Sequence, residues 1–391
     1  MTVMCNKSIK GCDGMNVIYA DNAATTKLDM DAFEAMKPFL LEDYSNPSQP
    51  YSFSKKARVA IKNARDTIAE CINAEPEEIY FTSGGSESDN WAIKGACFNC
   101  CDKKAVITSE IEHHAVLNSC VAVEKLGYPV AYIGCDENGV VSPDNLKKII
   151  HSPALVSVMM ANNEIGTIQP INELAEIAHE HGALFHTDAV QAVGHIPIDV
   201  KSLRVDMLSA SAHKFNGPKG IGFLYIQKNA YVSQLINGGS QEKSMRAGTE
   251  NVAGIVGMAV ALQKNVQRLE EYKSKMKSLT DIVYLLLDKA NIDYIKNGDL
   301  NNKIPGNINI SIKNVSGESL LHLMDLKKIC ISTGSACDSV NTQISHVISA
   351  IDVPEECQKG TVRISFGWEN TEDEARAVAN GLIRSIQQIN Q

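Results

Sequence analysis

Five places in this chain put chemically capable side chains just after short apolar runs. The first is Tyr80-Phe81-Thr82-Ser83-Gly84-Gly85-Ser86-Glu87-Ser88-Asp89-Asn90, an apolar run entering a Gly-rich turn and then a helix-like segment. Glycines let the backbone approach a ligand, and a helix start offers free N–H groups with about half a positive charge, so this turn can cradle a phosphate. It has no Walker A lysine, and a plain capped turn would read the same way. The second is Leu184-Phe185-His186-Thr187-Asp188, where a strand-end carboxylate can pair with a protonated pyridine nitrogen or cap a helix. Gln191 beyond it could hydrogen-bond a phenolic oxygen of such a ring. The third is Ser211-Ala212-His213-Lys214-Phe215-Asn216-Gly217-Pro218. A lysine there can form a Schiff base with an aldehyde once its surroundings lower its pKa, and Ser211 and His213 can hold a phosphate; taken alone, an exposed loop lysine is the commoner case. In the fourth, Ser109-Glu110-Ile111-Glu112-His113-His114, the two imidazoles compete for stacking on a planar ring and moving protons, and either could be a cap or surface residue. In the fifth, Thr333-Gly334-Ser335-Ala336-Cys337-Asp338, the thiol sits among small polar residues. A thiol of pKa about 8.5 needs activation at neutral pH, and Asp338 next door opposes it.

The elements that must position these residues alternate. Helix-like stretches are Asp29–Leu41, Ser54–Ile72, Ser86–Cys97, His114–Lys125 and Ile171–His181. Strand-like runs are Glu78–Phe81, Ala105–Thr108, Leu155–Met160, Ala183–Thr187, Asp206–Ser209 and Gly222–Ile226. Such alternation reads as βα units on a mainly parallel sheet, whose ligands bind at the carboxyl ends of the strands. Phosphate turn, stacking His, strand-end Asp and strand-end Lys follow one another on successive units. That order is what a pyridoxal 5′-phosphate (PLP) site on a doubly wound sheet requires. Past about Val260 the texture changes to one long charged helical stretch, Ala259–Lys289, and shorter elements: a strand Asn307–Ile312, a helix Glu318–Lys328, the Cys337 loop, a strand Thr361–Gly367 and a helix Glu372–Ile389. This predicts a large α/β domain over 25–261 and a smaller α+β domain from 1–24 and 262–391.

Bulk properties bound the rest. The 391 residues fit about two domains, and 44% apolar with 21% charged residues is ordinary for a soluble globular chain. No apolar run reaches the roughly 18 residues of a membrane span, and the first residues lack a secretory h-region, so a cytoplasmic, non-membrane protein is expected. The net charge is −9 with basic residues scattered, which argues against nucleic acid. Eleven irregularly spaced cysteines are no disulfide framework and imply a reducing compartment. Cys97, Cys100 and Cys101 have metal-like spacing without a convincing second cluster, so no metal is expected. Cys5 and Cys12 fall in what reads as a flexible N-terminal tail.

The chain resembles the cysteine desulfurases of the NifS/IscS type, in the class V branch of fold-type I PLP-dependent transferases. The likeness runs from Tyr19-Ala20-Asp21-Asn22-Ala23-Ala24-Thr25-Thr26 almost to the C-terminus. It rests on the Ser83–Asn90 turn, Glu112-His113, Asn162-Asn163-Glu164-Ile165-Gly166, His186-Thr187-Asp188, Ser211-Ala212-His213-Lys214, Met245-Arg246-Ala247-Gly248-Thr249 and Gly334-Ser335-Ala336-Cys337. The resemblance implies a large domain with a mainly parallel seven-stranded sheet flanked by helices. It implies that Lys214 bears the cofactor and works as acid and base, that His113, which follows a Glu, stacks on the ring, that Asp188 pairs with the pyridine nitrogen and that Gln191 faces the phenolic oxygen. Gly85, Ser86, Ser211 and His213 would bind the phosphate, Thr249 would reach the phosphate of a partner subunit in a homodimer with shared active sites, and Asn163 and Arg363 would clamp the carboxylate of L-cysteine. Cys337 would take the substrate sulfur as a persulfide, leaving alanine, and pass it to an acceptor protein. An iron–sulfur scaffold is one candidate acceptor, and there Cys337 could also contact the cluster. The alternatives are a selenocysteine lyase or another class V aminotransferase or lyase. The sequence departs from the family at Gly239-Ser240-Gln241-Glu242-Lys243-Ser244, usually richer in glycine, at Asp338, at Ser339–Ile344, which lacks the usual Glu-Pro, and in an N-terminal extension of some 15 residues.

Overall fold

The computed structural model describes residues 17–99, 102–151, 153–333 and 344–391. Along the chain the strands are β1 (Ile18–Tyr19), β2 (Ile79–Thr82), β3 (Val106–Ser109), β4 (Val130–Ile133), β5 (Leu155–Ser157), β6 (Leu184–Asp188), β7 (Met207–Ser211), β8 (Gly222–Ile226), β9 (Tyr294–Lys296), β10 (Asn307–Ile312), β11 (Ile329–Cys330) and β12 (Thr361–Ser365). The chain divides into two compact units. One comprises Thr25–Asn163 with Thr167–Leu269; the other comprises the chain up to Ala24, Glu164–Gly166 and Glu270–Gln391.

The larger unit is built on a seven-stranded sheet in the order β2-β8-β7-β6-β5-β3-β4. All neighbours from β7 to β4 run parallel, and β8 runs antiparallel to both β2 and β7. β3, β5, β7 and β8 are buried along their whole length, the signature of central strands covered on both faces. The connection from β3 leads one way to β4, while β5, β6 and β7 step the other way. The strand order therefore reverses between β3 and β5, and the crevice at their carboxyl ends is where such sheets bind ligands. β5 is shorter than its apolar run suggests: its ladder ends at Ser157, but Val158 N still donates to His186 O at 3.1 Å and Met160 N to Asp188 O at 2.8 Å. Helix Gly85–Asn99 packs on this sheet with Trp91, Ala92, Ile93, Ala96 and Cys97 in the core, so Cys97 is a packing residue. Cys100 and Cys101 lie outside the described residues, as do Cys5 and Cys12.

The stretch expected as one helix over 259–289 is two, Val252–Gln267 and Leu269–Lys289. The break at Arg268 (φ −118°, ψ 18°) follows from buried Asn265, whose Nδ2 donates to Phe215 O at 2.6 Å while its Oδ1 accepts from Arg268 Nη2 at 2.6 Å. That side chain ties the helix end to the turn after β7.

The smaller unit holds a three-stranded antiparallel sheet, β12-β10-β9, and the parallel pair β1–β11. Its core gathers Met276, Leu279 and Val283 of one helix, Ile308 and Ile310 of β10, Val362 and Ile364 of β12, and Val378 and Leu382 of helix Glu372–Ile389. That last helix starts on a capping box between Thr371 and Glu374.

Candidate active site

The anion cradle forms where β2 enters helix Gly85–Asn99. Gly84 has φ +147°, open to glycine alone, and a Cβ on Gly85 would lie 2.6 Å from Val190 Cγ2. Gly85, Ser86, Ser211 and His213 line a cavity of about 350 Å³, together with Thr25 and Lys219. Thr25 hydrogen-bonds His213 Nδ1 at 3.1 Å. Burial and the neighbouring Lys214 and Lys219 push the His213 pKa down to about 4, so the imidazole is neutral near pH 7. Glu87 also lines the cavity. It is neutralised by a two-pronged pair with Arg246 (2.8 and 3.0 Å), and its Oε2 accepts from Ser83 N at 2.8 Å.

β6 places Asp188 at its carboxyl end, where Oδ1 accepts from Val190 N at 2.9 Å. Burial raises the Asp188 pKa, while His113, the Val190 N–H and Lys214 pull it back down. Ligand atoms of Asp188, His113 and Asp89 all lie within 4.8 Å of one another. His113 is the N-cap of helix His114–Lys125: its Nδ1 accepts from Ala115 N at 3.1 Å, which places the ring proton on Nε2. Burial lowers the His113 pKa. Capping and site membership thus belong to the same imidazole, and Asp188 and Lys214 both act on it electrostatically. Lys214 closes the short 3-10 turn that follows β7 and is half-buried.

A polar layer runs beneath. His186 is fully buried and bonds Ser157 Oγ at 2.8 Å and Ser209 Oγ at 2.9 Å; burial pushes its pKa down to about 3, so it is a neutral spacer across β5, β6 and β7. Asp89 is held well above the carboxylate range by burial and by Asp188. Buried Glu112 is pushed up to about 8, although Ser109 Oγ (2.5 Å) and Met159 N (2.8 Å) both donate to its Oε1.

Asn163 and Gln191 are half-buried and Thr249 is exposed. The segment before Thr249 carries three successive left-handed residues, Glu242 (φ 44°), Lys243 (φ 58°) and Ser244 (φ 65°). Non-glycine residues hold such angles only when over-determined. Here the Glu242 carboxylate takes two bonds from Arg65 (2.8 and 2.7 Å) and one from Phe81 N (3.0 Å).

In the smaller unit Arg363, on β12, is buried and its Nη2 donates to Asp21 Oδ1 at 2.8 Å. Its backbone exchanges two hydrogen bonds with Ser332 (3.0 and 2.7 Å), at the root of the segment leading to Cys337. Cys337 and Asp338 lie outside the described residues. Lys219, Thr25, the Glu87–Arg246 pair, Asp89 and Asp21 are additions to the residues expected from sequence. Asp21, Thr25, Glu87, Asp89 and Arg246 stand inside motifs already conspicuous there, but the pairing of Asp21 with Arg363, 342 residues away, does not show in the sequence.

PLP fits the larger unit on these grounds. The cradle has glycine clearance, helix-start N–H groups, a hydroxyl and Lys219 for a phosphate. Asp188 is a buried carboxyl in need of a cation, which a protonated pyridine nitrogen supplies. These features define a PLP-dependent enzyme on a mostly parallel α/β sheet. The family model described as aminotransferase class-V matches residues 18–378, and the chain belongs to that family. Among its relatives, the cysteine desulfurase IscS of Dictyoglomus turgidum is 48% identical over 374 residues, 95% of each chain. That of Methanosarcina thermophila is 46% identical over 390 residues, 98% of this chain and 96% of the other. Of solved structures, a NifS-like protein superposes with a TM-score of 0.89 at 35% identity, covering 95% of this chain and all of the other. SspA in complex with cysteine superposes with a TM-score of 0.79 at 36% identity, covering 89% and 98%.

Proposed function

We propose that this chain is a PLP-dependent cysteine desulfurase that converts L-cysteine to L-alanine and carries the sulfur as a persulfide on Cys337. The observation that carries this reading is the grouping of an anion cradle, the buried carboxyl of Asp188 and the imidazole of His113 at the carboxyl ends of the sheet's strands, with Lys214 within electrostatic reach of both side chains. When bound, PLP supplies an electron sink for charge developing at the substrate Cα.

The chain's own residues do the rest. Gly85, Ser86, Ser211 and His213 hold the phosphate, and Thr249 serves the phosphate of the partner subunit's site. Asp188 keeps the ring nitrogen protonated and Gln191 faces the phenolic oxygen. His113 stacks on the ring, and Lys214 anchors the cofactor and moves the α-proton. Asn163 and Arg363 hold the substrate carboxylate, Arg363 through its two-pronged fork. The Cys337 thiolate then forms an S–S bond to the substrate sulfur as the S–Cβ bond breaks. The electron pair of the broken bond passes to Cβ, which takes up a proton, and return of the α-proton to Cα by Lys214 completes alanine. The names of the relatives support cysteine as substrate. The proposed assembly is a homodimer that hands sulfur to an acceptor protein in a reducing cytoplasm, with an iron–sulfur scaffold as the first candidate.

Purified holoenzyme given L-cysteine and a reducing thiol is expected to release alanine and sulfide in equal amounts, and Cys337→Ala to release neither. Wild type that binds PLP but makes neither product would move the substrate to another amino acid.

A further inference from the structure

We infer that Asp21 is a resident counter-anion that weakens and tunes the grip of Arg363 on an α-carboxylate; the inference rests on the proposed role of Arg363. The two side chains are 4% and 17% exposed, so little water screens the charge of either. Asp21 is bolted in place rather than floating. Asn22 N donates to Ser365 O at 3.0 Å, Ala23 N to Ser365 Oγ at 2.9 Å, and Ser365 N to Ala20 O at 2.8 Å. Asn22 Nδ2 adds a bond to Ser365 O at 3.0 Å. The Asn22 side chain lies so close to Gly367 that a Cβ there would be 2.4 Å from its Oδ1. A segment at the start of the chain is therefore laid across the end of β12, two residues beyond Arg363, and this fixes a carboxylate on one edge of its guanidinium.

A guanidinium carries five N–H donors, more than one carboxylate oxygen uses, so a second carboxylate can be held by the same group. That second anion then feels the attraction of Arg363 and the repulsion of Asp21 together. Substrate and product of the proposed reaction share the α-carboxylate, so the damping acts on both. It keeps alanine from lingering after the sulfur has left, at the cost of weaker cysteine binding.

The test is steady-state kinetics of holoenzyme with L-cysteine, and inhibition by L-alanine, for wild type, Asp21→Asn and Arg363→Gln. The asparagine keeps an oxygen acceptor for Arg363 Nη2 and removes only the charge. Asp21→Asn is expected to lower the KM for cysteine and the inhibition constant of alanine together, by roughly three- to tenfold, the reach of one charge a few ångströms away in a partly buried site. PLP absorbance of the holoenzyme without cysteine should be unchanged. A merely structural role for Asp21 predicts the reverse, weaker binding of both ligands. Constants that rise or stay put in Asp21→Asn overturn the inference. Arg363→Gln separates the two readings: if it leaves both constants at wild-type values, it is the carboxylate role of Arg363 that has failed.

Discussion

Glu112 shows at the residue scale how the site stores electrostatic cost. Its carboxyl is fully buried and pushed up to about 8 by desolvation, with Asp188 adding repulsion. In the unfolded chain it would titrate near 4.5, its ordinary value. Below that pH both states carry the proton and the full stability is present. As pH rises from there to about 8 the unfolded chain ionises while the folded one does not, so stability is lost across that window. Buried His186, pushed down to about 3, acts in the opposite sense: its contribution is present above its ordinary value of 6.5 and is lost as pH falls toward 3. Glu112→Gln keeps an Oε1 that Ser109 and Met159 can donate to and removes the titration. Urea unfolding of holoenzyme should show wild type losing a few kcal/mol more than Glu112→Gln between about pH 5 and about pH 8. Parallel pH profiles for the two proteins would show that Glu112 is not held protonated in the fold.

At the scale of elements, the turn between β2 and helix Gly85–Asn99 meets the turn after β6 at one contact. A methyl group on Gly85 would press on Val190 Cγ2, and Val190 N is the donor that orients Asp188. Gly85→Ala therefore strains the phosphate cradle and tilts the partner of the ring nitrogen in one step. Titrating apoprotein with PLP should give an affinity at least about tenfold weaker for Gly85→Ala, a loss of about 1.4 kcal/mol or more, and an unchanged affinity would mean that the turn yields freely.

The elements that carry these turns were the most legible part of the sequence. Helix His114–Lys125 has the bounds its pattern predicts, and helices Met30–Leu41 and Lys55–Cys71 fall within a residue of theirs. The motifs 83–90, 186–188 and 211–214 fall at the carboxyl ends of β2, β6 and β7, as the alternation of elements predicts. What stayed hidden depended on tertiary contact. The break at Arg268 comes from Asn265 reaching Phe215 O, 50 residues away. The left-handed run 242–244 is held by Arg65, 177 residues from Glu242. Neither local propensity nor hydrophobic period registers such partners.

At the scale of the whole molecule, the larger unit leaves several large apolar side chains exposed among the described residues. Phe33, Leu40 and Leu41 of helix Met30–Leu41 are 38%, 54% and 73% exposed, and Tyr44, Tyr51 and Phe53 that follow are 71%, 51% and 46% exposed. Tyr44 and Phe53 meet edge to face at 5.5 Å between ring centres. A second copy of the chain would bury these side chains. The proposed homodimer gives them a partner. It also gives exposed Thr249 a neighbour to meet, on a segment whose left-handed residues are held by the Glu242–Arg65 pair. Leu41→Glu tests this with little risk to the fold, because the side chain is already 73% exposed. Sedimentation equilibrium should show wild type with twice the mass of one chain and Leu41→Glu shifted toward a single chain. PLP should leave the variant faster, since each phosphate would lose the Thr249 contact from its neighbour. A wild type that sediments as one chain, or a monomeric variant that keeps its cofactor as tightly as the parent, would mean that each site is complete within its own subunit.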